Sequence, residues 1–314
     1  MDFNDILTIL IILLAIFLLS IFIISYIAYK LAFHSKNKYT LSDEIVLPNI
    51  PMYQTYKEII TQDIKDIRKI PSTEFSIKSF DGLTLYGKYF EFEKGAPIEI
   101  MFHGYRGYGE RDLSSGVKRA FKCKHNALLI DQRAGGKSEG HVISFGIKER
   151  HDCIKWANFV VEHFGDDVKI ILTGISMGAA TVLLASSMDI PKNVIGILAD
   201  CGYNKASEII KKVIKDMKLS PKLLYPFVKI GARLYGHFNV EETSPYESVK
   251  NSKVPILFIH GDKDDFVPCY MSEELYKACS SKKNLVLIKN AGHGVSYLID
   301  PDTYLREVND FFKL

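Results

Sequence analysis

The chain has 314 residues, 47% hydrophobic and 25% charged, with a formal net charge of +3 from 40 basic and 37 acidic side chains. That length suits one α/β domain with an extension. The composition excludes a disordered, collagen-like or repeat-fibre chain, and the near-balanced charge gives no basic field for a nucleic-acid partner. Cys123, Cys153, Cys201, Cys269 and Cys279 form no C-x-x-C pair, so neither a disulfide framework nor a zinc ribbon is expected, and free thiols suit a reducing compartment.

One segment departs from that average. From Ile6 to Tyr29 no residue is charged, and Ile, Leu and Phe dominate. As a helix this run of about 24 residues extends about 36 Å, enough to cross about 30 Å of hydrocarbon. A cleaved signal peptide calls for a basic start and an A-x-A-like site. Here the start, Met1-Asp2-Phe3-Asn4-Asp5, is acidic and no such site follows. The expectation is a single-pass transmembrane anchor over residues 6–29, with its basic flank completing a segment 1–35. Lys30, Lys36 and Lys38 follow the span and no basic residue precedes it, which places the body on the cytoplasmic side of the cell membrane.

Residues 36–71 read as a polar connector with a helix near Tyr53–Arg68, closed by Pro71. The remainder, 72–314, alternates between strand and helix. Phe75–Phe80 and Leu83–Phe92 are alternating runs joined at Asp81-Gly82, a hairpin signal. Ile98–Phe102 is an apolar strand ending in His103-Gly104, and about Arg111–Lys122 is helix-compatible. Strand Ala127–Ile130, helix Ile147–Phe164, strand Val168–Leu172, helix Ala179–Met188 and strand Val194–Ala199 follow. After residue 249 come strand Ile256–Ile259, helix Ser272–Cys279, strand Leu285–Ile288 and helix Thr303–Phe312. This rhythm predicts an α/β fold, a mostly parallel central sheet with helices on both faces. The stretch 204–249 interrupts it with Pro221, Pro226 and the aromatics Tyr225, Phe227, Tyr235 and Phe238. Such an insertion at the carboxyl edge of a sheet, where ligands bind, is expected to be a helical lid.

Gly174-Ile175-Ser176-Met177-Gly178 is a G-x-S-x-G between a strand and an Ala-rich helix, the context a nucleophile elbow demands. A serine hydroxyl needs a base to take its proton, and the base needs a carboxylate to hold one tautomer. Downstream, Asn290-Ala291-Gly292-His293-Gly294 places His293 on a loop at a strand's end; the other later histidines are His260 and His237, the second inside the expected lid. For the acid, Asp262, Asp264 and Asp265 compete in the segment after Ile256–Ile259, and Asp200 ends the preceding strand. Spacing alone leaves these open. The main-chain N–H of Met177, next after the nucleophile, is one expected oxyanion donor.

Together these segments resemble the α/β-hydrolase superfamily, in its serine esterase/lipase and S9/S33-peptidase-like branch, over about Phe75–Leu314. The resemblance is carried by His103-Gly104-Tyr105, by Asp131-Gln132-Arg133 with Gly135-Gly136-Lys137-Ser138, by the elbow, and by the segments His260–Pro268 and Ala291–Gly294. It implies the α/β-hydrolase fold, Asp264 as the acid with Asp200 as a lesser alternative, and the main-chain N–H of Tyr105 as the second oxyanion donor. Arg106 is expected to be solvated, ahead of pairing with an acidic substrate.

The expected function is a membrane-anchored serine hydrolase that cleaves carboxylic esters through an acyl-enzyme on Ser176. Its substrate would be a small-molecule or lipid-like ester, and it would need no cofactor. Peptidase, thioesterase and lipase activities of the same fold are alternatives, and a non-catalytic membrane-tethered binding protein is the alternative of another class. Ala134-Gly135-Gly136-Lys137-Ser138 lacks the upstream glycine of a phosphate loop, and His141 and His151 have no evident ligand partners, so neither nucleotide nor metal is expected.

Overall fold

The uncharged N-terminal run forms the middle of one long helix, α1 (Phe3–Ala32). The structure, a computed structural model, describes residues 3–36, 45, 47 and 51–313; Met1-Asp2, Lys38 of the basic flank and most of the connector ahead of residue 51 lie outside the described residues. The side chains of α1 are exposed along most of its length, and only Ser25 and Tyr29 are buried. The expected connector helix is two, α2 (Pro51–Thr55) and α3 (Lys57–Arg68), broken at Tyr56, whose φ of −109° and ψ of 19° leave the helical region.

From residue 72 the elements run β1 (Ser72–Lys78), β2 (Thr84–Phe90), β3 (Ile98–Phe102), α4 (Gly109–Lys122), β4 (Asn126–Asp131), α5 (Glu149–Phe164), β5 (Ile170–Ile175), α6 (Met177–Ala185) and β6 (Val194–Asp200). Three helices fill the 204–249 segment: α7 (Ala206–Asp216), α8 (Pro221–Leu234) and α9 (Pro245–Val249). Then follow β7 (Ile256–Gly261), α10 (Tyr270–Ala278), β8 (Lys283–Ile288), α11 (Ser296–Ile299) and α12 (Pro301–Phe312). The strands form one eight-stranded sheet in the order β1-β2-β4-β3-β5-β6-β7-β8. The hairpin strand β2 pairs antiparallel with β1 and β4, and every pair from β4 to β8 is parallel.

Alternation along the strands divides the core in two. Ile100 and Phe102 of β3, Ile197 of β6 and Phe258 of β7 join Trp156 and Val160 of α5 and Leu183 of α6 on one face. The intervening residues point the other way: Met101 packs with Val117 of α4 and Ile67 of α3, while Leu198 and Leu257 pack with Tyr304 and Val308 of α12. Strands covered on both faces must be apolar throughout, and every residue of β3 is buried.

Two boundaries moved for identifiable reasons. α5 starts at Glu149 instead of Ile147 because the Glu149 carboxylate reaches back to the N–H groups of Ser144 (2.8 Å) and Gly146 (2.9 Å) while Ser144 Oγ accepts from Lys148 N–H (2.7 Å). That exchange of hydrogen bonds occupies donors a helix start leaves unpaired. β5 runs on to Ile175 because Gly174 and Ile175 still pair with Ala199 and Asp200 of β6. Ser176 therefore follows the strand with no intervening loop.

Candidate active site

β3, β5, β6, β7 and β8 all end at the carboxyl edge of the sheet, and each carries one of the residues singled out in the sequence at its end or in the loop that follows. Ser176 lies between β5 and α6 with φ 56° and ψ −118°. A left-handed non-glycine backbone costs on the order of 1–3 kcal/mol and persists only where its surroundings impose it. Here Ser176 N–H donates to the Asp200 carbonyl at 2.9 Å, and its own carbonyl accepts from Ala180 at 3.0 Å. The elbow is also tight against β3: a Cβ on Gly178 would sit 2.0 Å from the Phe102 carbonyl oxygen, so only glycine fits there.

His293 bridges the other two groups. Its Nε2 is 2.9 Å from Ser176 Oγ and its Nδ1 is 2.7 Å from Asp264 Oδ2. Burial pushes the Asp264 carboxyl up, but hydrogen bonds from His260 and His293 and their electrostatic attraction outweigh it and hold it down at about 2. An ionised Asp264 accepts only, so Nδ1–H donates to it and Nε2 is left to accept from the serine hydroxyl. Asp264 Oδ1 accepts from the N–H groups of Phe266 (3.0 Å) and Val267 (2.8 Å), which fixes the carboxylate plane.

Burial and hydrogen-bond partners separate the four acids left open by spacing. Asp264 is buried, whereas Asp262 and Asp265 are exposed. Asp262 instead accepts from Asn290 N–H at 2.6 Å and ties down the start of the His293 loop. Asp200 is buried, but its carboxyl faces Ser296 Oγ at 3.1 Å and Tyr304; burial raises it to about 6 against the opposing charge of His260 and those hydrogen bonds.

His260 has a role the sequence reading did not give it. Its Nε2 lies 2.8 Å from the Val267 carbonyl and 3.2 Å from Asp264 Oδ2, and its Nδ1 lies 2.7 Å from Ser272 Oγ. A carbonyl can only accept, so Nε2 carries the proton and Asp264 shares it. The only sequence signal was a histidine four residues before the acid.

Beside the serine runs the loop after β3. A Cβ on Gly104 would lie 3.6 Å from Ser176 Cβ, which measures how closely this backbone passes that serine. Among the hydrogen bonds of the described residues, neither Tyr105 N–H nor Met177 N–H donates to an acceptor. Two unpaired donors flanking a serine are what an oxyanion requires. The Asp131-Gln132-Arg133 block supports this loop from below: Gln132 N–H donates to His103 Nε2 at 3.0 Å, its side-chain amide donates to the His103 carbonyl at 2.7 Å, and Asp131 accepts from Gly109 N–H at 2.8 Å. Arg106 is exposed, and its guanidinium donates to the carbonyls of Leu31 (2.8 Å) and His34 (3.3 Å) at the end of α1.

Met177 is buried in a cluster with Ile209 and Ile210 of α7, Val228 of α8, Phe238 and Tyr203. The 204–249 insertion thus packs over the start of α6. Phe266, 42% exposed, meets the His293 ring edge-on with centroids 5.0 Å apart and forms an apolar rim. Among the described residues one His/Cys/Asp/Glu group has metal-like spacing, Cys201 with Asp264 and His293, their ligand atoms within 4.8 Å of one another. Burial pushes the Cys201 thiol well up. A neutral thiol is a poor ligand, and a metal there would displace the Asp264–His293 hydrogen bond.

Comparisons with known proteins point the same way. The family described as Serine hydrolase (FSH1) matches residues 204–296, which include Asp264 and His293. The uncharacterized protein YqkD of Bacillus subtilis is 29% identical over 255 residues, 79% of this chain and 81% of its own. An uncharacterized membrane protein of Saccharomyces cerevisiae, YNL320W, is 25% identical over 189 residues, 59% of this chain and 60% of its own. Among solved structures, the Pyrococcus furiosus esterase Pf2001 superposes with a TM-score of 0.64 at 22% identity, covering 88% of this chain and 98% of that one. With sheet order, crossing pattern and these likenesses in agreement, the chain has the α/β-hydrolase fold.

Proposed function

We propose that the chain is a serine hydrolase that cleaves carboxylic esters through an acyl-enzyme on Ser176 and is held at a membrane by α1. The observation that carries this reading is the hydrogen-bonded line from Ser176 Oγ through His293 to Asp264, beside the unpaired N–H groups of Tyr105 and Met177. Nε2 of His293 takes the hydroxyl proton as Oγ attacks the ester carbonyl. The carbonyl electron pair moves onto oxygen, where the two amides hold it, and Asp264 stabilises the imidazolium. Collapse expels the alcohol, which takes the proton from Nε2. Water then repeats the sequence on the acyl-enzyme and frees the acid.

The 204–249 insertion acts as the lid, and the exposed Phe266 rim favours an ester with an apolar group. Three observations support anchoring. α1 is apolar on every side and almost nothing covers it, a surface suited to a bilayer. Lys30 lies in its last turn and Lys36 follows it, which orients the body to the cytoplasm. Just past its end, Phe33 is fully buried against Phe145 and Phe238, so the segment is built into the body in a way a discarded leader is not.

The test is covalent labelling. Membranes carrying the full chain should react with an alkyl fluorophosphonate at Ser176, and Ser176→Ala should not be labelled. Labelling that persists in that variant rejects Ser176 as the nucleophile. Turnover that rises with acyl length across p-nitrophenyl esters would sharpen the substrate to lipid-like chains, and a strict preference for acetate would remove that part.

A further inference from the structure

The last two turns of α1 and the residues just after them are not a passive stalk. Gly231 of α8 comes so close that a Cβ there would lie 2.4 Å from the Ser25 carbonyl oxygen. Tyr235 packs its ring on Tyr26 and Tyr29 at 5.1 and 5.8 Å, and Phe33 sits edge-on to Phe145 and Phe238 at 5.7 and 5.1 Å. The body therefore grips this end of the helix firmly.

The same end meets the β3 loop. The closing carbonyls of a helix have no partner within it and carry the negative end of the dipole. In α1 the last two, of Leu31 and Ala32, are satisfied by two consecutive residues of that loop. Tyr105 Oη donates to the Ala32 carbonyl at 2.9 Å, and Arg106 Nη2 donates to Leu31 at 2.8 Å and to His34, just beyond the helix, at 3.3 Å. Arg106 reaches them from a left-handed backbone, φ 54°, and its guanidinium lies over the Tyr105 ring, 5.0 Å from the centroid. Tyr105 thus faces two ways. Its main chain follows Gly104, where a Cβ would lie 3.6 Å from Ser176 Cβ, and its side chain is tied to the helix.

We propose that the C-terminal end of α1 sets the position of the Tyr105 oxyanion donor, with Arg106 as the positioning residue that clamps the loop to the helix, so that full hydrolase activity requires α1 docked on the body. This rests on the reading of Ser176 as nucleophile and Tyr105 N–H as oxyanion donor, and goes beyond it in making the apolar helix part of the catalytic apparatus. An oxyanion donor acts only when it stands about 3 Å from the developing charge, and loss of one costs about 100–1000-fold in rate. A loop released from its clamp forfeits part of that factor, in the transition state and not in ground-state binding.

The experiment uses the full chain in lipid nanodiscs, with p-nitrophenyl butyrate as substrate and an alkyl fluorophosphonate as inactivator. Arg106→Ala and Tyr105→Phe are each expected to lower kcat on the order of tenfold with KM within about twofold, a fraction of the loss of a whole donor. Fluorophosphonate inactivation should slow in parallel, since its phosphoryl oxygen occupies the same donors. Because one nitrogen of Arg106 serves both carbonyls, Arg106→Lys should recover much of the loss. A double variant that keeps wild-type kcat and inactivation rate overturns the proposal. So does a loss confined to KM, which would make Arg106 a substrate contact, or an Arg106→Lys no better than Arg106→Ala with both melting well below wild type, which would make the clamp structural only. A wild-type chain unlabelled at Ser176 overturns the parent reading and this one with it. A labelled wild type with unaffected variants overturns this one alone.

Discussion

Two helices of this chain, α1 and α6, are apolar on every side, yet they lie in opposite surroundings. α6 has nine residues, all buried; α1 has 30, of which two are buried. The apolar pattern does not say what covers a helix. Length and neighbours do. Nine residues extend about 14 Å, too short for a bilayer but the right size to lie under the sheet's centre, whereas the α1 run is long enough to cross. Both helices turn one end toward the site, and the ends are of opposite sign. α6 presents its N-terminus, with the Met177 N–H, next to Ser176. α1 presents its C-terminal carbonyls to Tyr105 and Arg106. The two meet at the 104–106 loop.

Variants at the α6 end should have the largest effects on chemistry. Ser176→Ala is expected to lower kcat on the order of a millionfold while leaving the melting temperature near wild type, as judged by ester turnover and a thermal melt on one preparation. Next comes Asp264→Asn, which keeps the shape but donates to His293 where the carboxylate accepts. It should cost about 10,000-fold in kcat. Asp265→Asn, exposed one residue away, should stay within about twofold; equal losses at both positions would mean that the loop matters and the carboxylate does not.

The two environments separate in stability as well. Leu183 of α6 is fully buried and Leu13 of α1 is 56% exposed. Leu183→Ala should destabilise the body by roughly 2–5 kcal/mol and lower its melting temperature on the order of 10 °C, whereas Leu13→Ala should leave the melt of the body unchanged. A comparable drop in Leu13→Ala would mean that something in the body, not lipid, covers that face.

Local patterns made much of this molecule legible. The alternation of short apolar strands and amphipathic helices, the Asp81-Gly82 hairpin and the glycine-flanked Ser176 are each written within a few residues, and each has a backbone consequence. Asp264 could not be separated from Asp262 and Asp265 by spacing, because all three lie in one short turn and only burial distinguishes them. The shared proton of His260, the Asp200–Ser296 contact and the clamp of Arg106 on Leu31 were out of reach for another reason. The last two join residues 96 and 75 positions apart, and no local period marks such a pair.

Asp200 offers the smallest effect and a clean sign. Its main-chain carbonyl holds Ser176 N–H at the start of α6, while its carboxyl is buried beside Ser296 and Tyr304 and raised from 3.8 to about 6. Below about pH 4 the group is protonated in both folded and unfolded chains and contributes no pH dependence. Between about 4 and 6 the folded chain keeps the proton and the unfolded chain loses it, so each rise in pH favours unfolding. Above 6 both are ionised and the full penalty of a buried charge, about 3 kcal/mol, is in place. Asp264 and Glu99, both held down at about 2, act in the opposite sense: their stabilisation is present above the ordinary carboxyl range and lost as pH falls toward 2. Asp200→Asn leaves those two terms in place and removes only the first. Any hydrogen bond the amide loses is independent of pH. The melting temperature of Asp200→Asn relative to wild type should therefore rise by several degrees between pH 4 and pH 7 and stay level above that. A difference that is flat from pH 4 to 7 would mean that Asp200 is ionised throughout, with its charge compensated inside the fold by the nearby histidines.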